Sequence, residues 1–275
     1  MTLKGRNHLV SIFFIISFLT LLAMTTLYVF AFIKGTLVPL ENSVRPFNIF
    51  PEVFLFAQNF YVPLIACAFF LLYVPLVLLA LKIGFEKTQS TELIYFLFFL
   101  AACFVELFRL FIPLNGLWKT NSPLLSFSAR LILAARFLAP LSFFFASIFY
   151  ETDQRQNLER NIIAMIMLSI CTSLFMPLKT LTFFSTNIVM WGHERLFFFV
   201  CIAVECATLI IILLNTYSKG MDELKPNAAG FILIAAGYSF LIIADNFVFL
   251  ALGIIFLSLG TILYLNSIHR MYMWR

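Results

Sequence analysis

Residues 228–268 read AAGFILIAAGYSFLIIADNFVFLALGIIFLSLGTILYLNSI. A helix crosses the hydrocarbon core of a bilayer with about 20 apolar residues, and this run is about twice that length. Asp245 and Asn246 interrupt it near the middle, and both residue types favour turns. Two spans therefore fit, 228–244 and 247–268, joined by a tight turn at Ala244-Asp245-Asn246. Read as one span, the same run would lower the total to seven and move the C-terminus to the other side of the membrane. Gly230 and Gly237 are seven residues apart, as are Gly253 and Gly260. Each pair falls on one helix face, and small residues let helices approach closely in lipid, so spans seven and eight are expected to pack on each other.

Six further stretches are long and apolar enough to cross or nearly so: 9–33, 60–82, 92–113, 124–150, 161–187 and 195–216. The expected fold is an all-α, polytopic transmembrane helical bundle of eight spans, forming a single integral-membrane domain over 1–275 with no soluble domain. Composition agrees. The chain is 63% hydrophobic and 11% charged, against about 45–50% and about 25% in soluble domains. Its mean hydropathy is +1.02. Phe supplies 36 of 275 residues, which suits lipid-facing and helix-packing surfaces. The first span follows Lys4 and Arg6. It is too long for the apolar core of a signal peptide and lacks a small-x-small cleavage site, so it reads as an anchor.

Charge in the loops sets an expected orientation. With the N-terminus inside, inner segments hold Lys4, Arg6, Lys82, Lys87, Arg155, Arg160, Lys219, Lys225, Arg270 and Arg275, and outer segments hold Lys34, Arg45, Lys119 and Arg195. That positive-inside bias places both termini in the cytoplasm. Trp118 and Trp191 then belong to the outer interface, and Tyr272 and Trp274 to the inner one. No Asn-x-Ser/Thr sequon is present, which leans towards a bacterial cytoplasmic (inner) membrane. The net charge of +5 is dispersed in the loops. With no polybasic run, nucleic acid is not an expected partner. The partners expected are the lipid bilayer, a small anionic or lipid ligand, and a membrane or cytoplasmic protein.

The longest loop, 35–58, carries Pro39, Pro46 and Pro51, so it cannot be one regular helix. It reads as an interfacial connector or a lid over the bundle. Pro63 and Pro75, Pro140 and Pro177 interrupt spans two, four and five and predict kinks there. All five cysteines (Cys67, Cys103, Cys171, Cys201, Cys206) fall in apolar spans without a CxxC pair and are expected to be buried free thiols.

Seven ionisable residues lie inside the apolar spans: Glu106, Arg109, Arg130, Arg136, Lys179, Glu205 and Asp245. Charge at membrane depth costs at least a few kcal/mol and usually faces a protein interior or a wet cavity. Chain direction puts all seven at mid-depth or in the outer half, on spans three to seven. The expected arrangement is one outward-opening polar pocket. Glu106 can pair Arg109 or Arg130, Glu205 can pair Arg136 or Lys179, and one cation is left over. Surplus guanidinium suits an anionic ligand, because its planar fork matches carboxylate or phosphate. Asn115, Trp118, Ser126, Ser128, Thr180, Thr182 and Tyr238 are candidates for its wall. Arg136 and Glu205 rank first, because mid-depth offers no easy route to the headgroups, and Asp245 ranks last, because a turn Asp needs no ligand. The structural alternative is that these charges fix helix register or reach outer headgroups.

Motifs for other chemistry are missing. His8, His193 and His269 lie in tails, loops or span edges, so a bis-histidyl haem within the bundle does not fit. No His/Cys/Asp cluster has metal-ligand spacing, and there is no GxSxG, HExxH, Walker or GxGxxG motif. No cofactor and no metal are expected, and no catalytic residue is assigned. The leading expectation is a non-enzymatic protein that binds, transports or senses a small anionic or amphipathic ligand through the outer-half pocket. The alternatives are a membrane-embedded lipid-modifying enzyme using Glu106 or Glu205, and a structural subunit of a membrane complex.

Overall fold

The computed structural model describes residues 3–37, 43–44, 57–86, 88, 90–114, 122–148, 158–219 and 225–273. Among them are eight helices long and apolar enough to cross a membrane, so the chain is an all-α, polytopic transmembrane bundle. In chain order they are α1 (Leu3–Ile33), α2 (Tyr61–Gly84), α3 (Glu92–Val105), α4 (Ser122–Ile148), α5 (Leu158–Phe175), α6 (Glu194–Lys219), α7 (Lys225–Ile243) and α8 (Phe247–Met273). A 3-10 turn, Glu106–Phe111, extends α3. Three short strands, β1 (Ser43–Val44), β2 (Leu178–Phe184) and β3 (Ile188–Trp191), form one sheet in the order β1-β2-β3.

Burial sorts the helices into centre and periphery. In the apolar windows of α3 and α4, 72% and 67% of residues are buried inside the protein, against 17% in α1 and α6. The outer helices therefore turn most of their Leu, Ile and Phe side chains to lipid, where an apolar surface carries no penalty. Much of the phenylalanine goes to the centre instead. Phe99 of α3 lies 5.0 Å from Phe143 of α4 and 5.5 Å from Tyr238 of α7, ring centroid to ring centroid. Phe70 of α2 approaches the same tyrosine ring at 6.1 Å.

The break at Ala244–Asn246 is real, and α7 and α8 make the most extensive helix pair in the molecule. The Asn246 side-chain oxygen accepts the Phe249 amide at 2.9 Å, capping α8. The paired glycines explain the closeness. A Cβ on Gly260 would lie 2.7 Å from the Ile234 backbone nitrogen, and one on Gly237 would collide with the Leu257 backbone. Tyr73 of α2 and Thr261 of α8 share a hydrogen bond of 2.6 Å that ties this hairpin to the core.

The fifth span departs from the expected 161–187. The helix stops at Phe175, and the apolar residues beyond it form the β2–β3 hairpin. Pro177 sits outside the helix and ends it, where a kink was expected. Beyond it Thr180, Thr182, Ile188 and Val189 are β-branched and suit a strand. Ser185-Thr186-Asn187 supplies the turn, with Asn187 in the left-handed region at φ 59°. The Gly192 amide donates to the Pro177 carbonyl at 2.7 Å and closes the base. Pairing shifts between Lys179 and Phe183, so β2 is bulged. β1 adds a parallel edge through Ser43 and Val44 opposite Phe183 and Phe184. Of the long loop 35–58, residues 35–37, 43–44 and 57–58 are described; its reading as a lid or connector otherwise lies outside the described residues.

Other expectations change. Pro63 falls in the first turn of α2, where a missing N–H costs nothing, whereas Pro75 and Pro140 are inside α2 and α4. Cys67 and Cys103 are buried, but Cys171 and Cys206 are on the outer surface of the bundle and Cys201 is half-buried. An apolar span hides a thiol from water without hiding it from lipid. Trp191 is 1% exposed, so it belongs to the core and not to an interfacial belt. Trp118, Trp274 and the Tyr272 side chain lie outside the described residues.

Candidate functional site

Glu106 is the first residue of the 3-10 turn that finishes the third span. Three residues per turn bring positions i and i+3 into line, so Arg109 stands directly over Glu106. Its Nη1 lies 3.5 Å from Glu106 Oε2. From the facing helix α4, Arg136 grips the same carboxylate with both arms of its fork. Nε donates to Oε1 at 2.9 Å and Nη2 to Oε2 at 3.3 Å. Glu106 and Arg109 are fully buried and Arg136 is 4% exposed. One carboxylate thus holds two guanidiniums and leaves a formal surplus of one positive charge.

Backbone carbonyls offset that surplus. Arg109 Nε donates to Thr186 O at the hairpin tip at 2.9 Å. Arg109 Nη1 reaches Leu241 O at 3.4 Å and Arg136 Nη2 reaches Ile242 O at 3.5 Å. Leu241 and Ile242 are in the last turn of α7, whose carbonyls have no partner within the helix and carry the negative end of its dipole. The Trp191 ring covers Arg136, with the guanidinium carbon 5.4 Å from the ring centroid. The cluster joins α3, α4, α7 and the hairpin. Among the described residues, three donors around it are buried without a hydrogen-bond partner: Arg109 Nη2, Trp191 Nε1 and Tyr238 Oη.

The hairpin tip has a second anchor. Ser185 Oγ donates to Asp245 Oδ2 at 3.2 Å, and Asn246 Nδ2 donates to Asp245 Oδ1 at 3.0 Å. The Asp245 carbonyl accepts the Asn59 amide at 2.9 Å, at the entrance to α2. Ser185, Thr186 and Asn187 are all buried. Irregular backbone at membrane depth is tolerated where protein surrounds it and satisfies its polar groups.

Two of the seven charges stand apart. Arg130 Nη1 donates to Ser173 O at 3.0 Å and Leu174 O at 3.2 Å, so it caps the C-terminus of α5 and does not pair Glu106. Ser173 Oγ answers by donating to Arg130 O at 2.6 Å. Lys179 is exposed on β2, outside any helix, and does not pair Glu205.

Glu205 is on α6, half-buried, and no hydrogen bond or ion pair reaches its carboxylate among the described residues. It faces a cavity of about 180 Å³ between α4, α6 and α7. Phe197, Phe198, Cys201, Ile202 and Glu205 form one face of α6 at helical spacing and line it. Arg136 and Pro140 line it from α4, and Tyr238, Ser239, Ile242 and Ile243 from α7. Pro140 has no N–H, so the Arg136 carbonyl one turn earlier loses its helical partner beside the cavity. Arg136 Nη1 has no hydrogen-bond partner among the described residues, whereas Nε and Nη2 are engaged.

Of the expected wall residues that are described, only Tyr238 lines this cavity. Ser128 Oγ donates to Leu125 O at 2.9 Å within its own helix, and Thr182 stays within the hairpin. Asn115, Trp118 and the Thr180 side chain lie outside the described residues. The aromatic pair Phe197–Phe198 and the Trp191 lid on Arg136 escaped the sequence reading. The Ser-Thr-Asn turn between two β-branched runs was the signal that would have revealed the hairpin, and with it Trp191. Comparison of the chain with protein-family models, with curated proteins and with solved structures finds no match in any of the three.

Proposed function

We propose that this membrane protein binds a small amphipathic molecule with an anionic head in the cavity between α4, α6 and α7. The observation that carries the proposal is the wall itself. It is an aromatic and aliphatic chamber with a guanidinium N–H and a carboxylate that have no hydrogen-bond partner among the described residues. Ligand sites in helical bundles have this make-up, mostly apolar with a few convergent polar groups. A guanidinium fixed by its own counter-ion keeps its geometry for a ligand without the entropy cost of ordering a free arginine. The positive-inside bias puts this end of the bundle on the outer face, with both termini in the cytoplasm. Binding is the step that transport and sensing share.

Thermal stabilisation of the purified protein by small aromatic and aliphatic carboxylates tests the reading. Cys201→Phe fills the cavity from α6 and replaces no residue that bonds Glu106. Stabilisation of the wild type that is lost in Cys201→Phe supports the site. Stabilisation equal in both proteins, or none by any carboxylate, overturns it.

A further inference from the structure

We infer that the cavity takes up one proton with each anion it binds, and that the Glu205 carboxylate holds it. The inference rests on the binding reading above and adds the partner ion.

An anionic head has one guanidinium contact to make here, at Arg136 Nη1, because the other two nitrogens of that group are held by Glu106 and the α7 carbonyl. Glu205 is on the wall of the same chamber. The rest of the wall is dominated by Phe197, Phe198, Ile202, Ile242 and Ile243. Beyond Arg136, such a wall offers only the Tyr238 and Ser239 hydroxyls to screen two negative charges from each other. Two carboxylates in one apolar site share a proton, since ionising both there is costly.

The groups that face Glu205 leave no other carrier. Arg136 comes from α4, with Glu106 bonded behind it and committed to two guanidiniums. Tyr238 comes from α7 and Cys201 from the preceding turn of α6, and a phenol and a thiol are ordinarily neutral at physiological pH. The step balances simply. A proton leaves solvent, the Glu205 carboxylate becomes the neutral acid, and the ligand stays an anion against Arg136. The new O–H is also a donor that the ligand oxygen can accept. By reciprocity, protonating Glu205 tightens anion binding by the factor by which the anion favours the proton.

Benzoate is the probe, a rigid ring with one carboxylate, used where it stays ionised. Calorimetric titration in two buffers of different ionisation heat reads the protons taken up per benzoate bound. The expected uptake approaches one, with affinity falling about tenfold per pH unit once free Glu205 is ionised. Glu205→Gln, which breaks no hydrogen bond, should bind benzoate with no uptake and no such fall. Benzylammonium is the opposite arm and should bind more weakly than benzoate. Benzoate binding blocked by Cys201→Phe but without proton uptake overturns the proton inference and leaves the site standing. Tighter binding of benzylammonium overturns the anion. Benzoate binding that is absent, or indifferent to Cys201→Phe, overturns the site itself.

Discussion

Arg136 and Glu106, thirty positions apart in the chain, meet through two nearly parallel hydrogen bonds of 2.9 and 3.3 Å inside a fully enclosed part of the bundle. Arg109 lies on the same carboxylate at 3.5 Å. The arrangement is bidentate on one side and monodentate on the other. It makes Glu106 the hub through which α3, α4 and the end of α7 are held in register.

Removing one partner of a buried pair leaves a charge that nothing compensates, at a cost of about 3–5 kcal/mol. Arg136→Gln leaves Glu106 paired with Arg109 and should therefore cost less than the full figure, read as the shift of the thermal or denaturant midpoint. Glu106→Gln strands two guanidiniums and should cost at least as much. The double variant should be clearly less destabilised than the sum of the singles. Additive effects would show that the two residues are not coupled.

The α7–α8 pair depends on glycine at the crossing. Gly237→Ala pushes a methyl group into the Leu257 backbone, and overpacking of that kind costs about 1–3 kcal/mol. Gly84→Ala meets nothing within 4 Å and should stay within about 0.5 kcal/mol of the wild type. Parallel melting curves of the two variants check both halves of the statement.

Asn246 caps α8 through its side-chain oxygen and steadies Asp245 through its side-chain nitrogen. Asn246→Ala loses the cap, worth about 1 kcal/mol, and removes one donor to Asp245 at the hairpin tip. The expected result is a modest loss of stability, with faster hydrogen exchange at the Phe249 amide.

The cysteines divide by surroundings. Cys171 and Cys206 face lipid, Cys67 and Cys103 face the core, and Cys201 is on the cavity wall. A membrane-permeant thiol reagent should modify Cys171 and Cys206 and spare Cys67 and Cys103 in the folded protein, as mass spectrometry of digests would read. Cys201 should react with a small reagent and be protected by benzoate.

The sequence carried the eight spans plainly, because hydropathy and the Asp245-Asn246 break are local properties. The close contact of α7 with α8 was legible for the same reason, through the glycine spacing. Hydropathy is blind to the difference between an apolar helix and an apolar hairpin, so the fifth span ran on to residue 187 and Pro177 passed for a kink. Trp191 was taken for an interfacial residue on the strength of its place near a span end, and the hairpin carries it into the core. The seven charges were found, but their pairing was not. Arg130 and Arg136 are both on α4, and the rotation and axial level of that helix decide which one meets Glu106. Glu205 was singled out as a charge inside a span, and its cavity depends on how α6 packs against α4 and α7, which no local pattern records.

The hairpin also shapes the surrounding lipid. Leu158–Phe175 has 18 residues, about 27 Å of helix at 1.5 Å per residue. Leu3–Ile33 has 31, about 46 Å. A hydrocarbon core near 30 Å is thicker than the first and thinner than the second, whose apolar part after residues 3–8 runs to about 37 Å. Lipid beside α5 must thin, or meet the hairpin where helix runs out, while α1 must tilt to keep its apolar length covered. The bilayer is therefore expected to be thinner beside α5 than beside α1, with short acyl chains favoured on that flank.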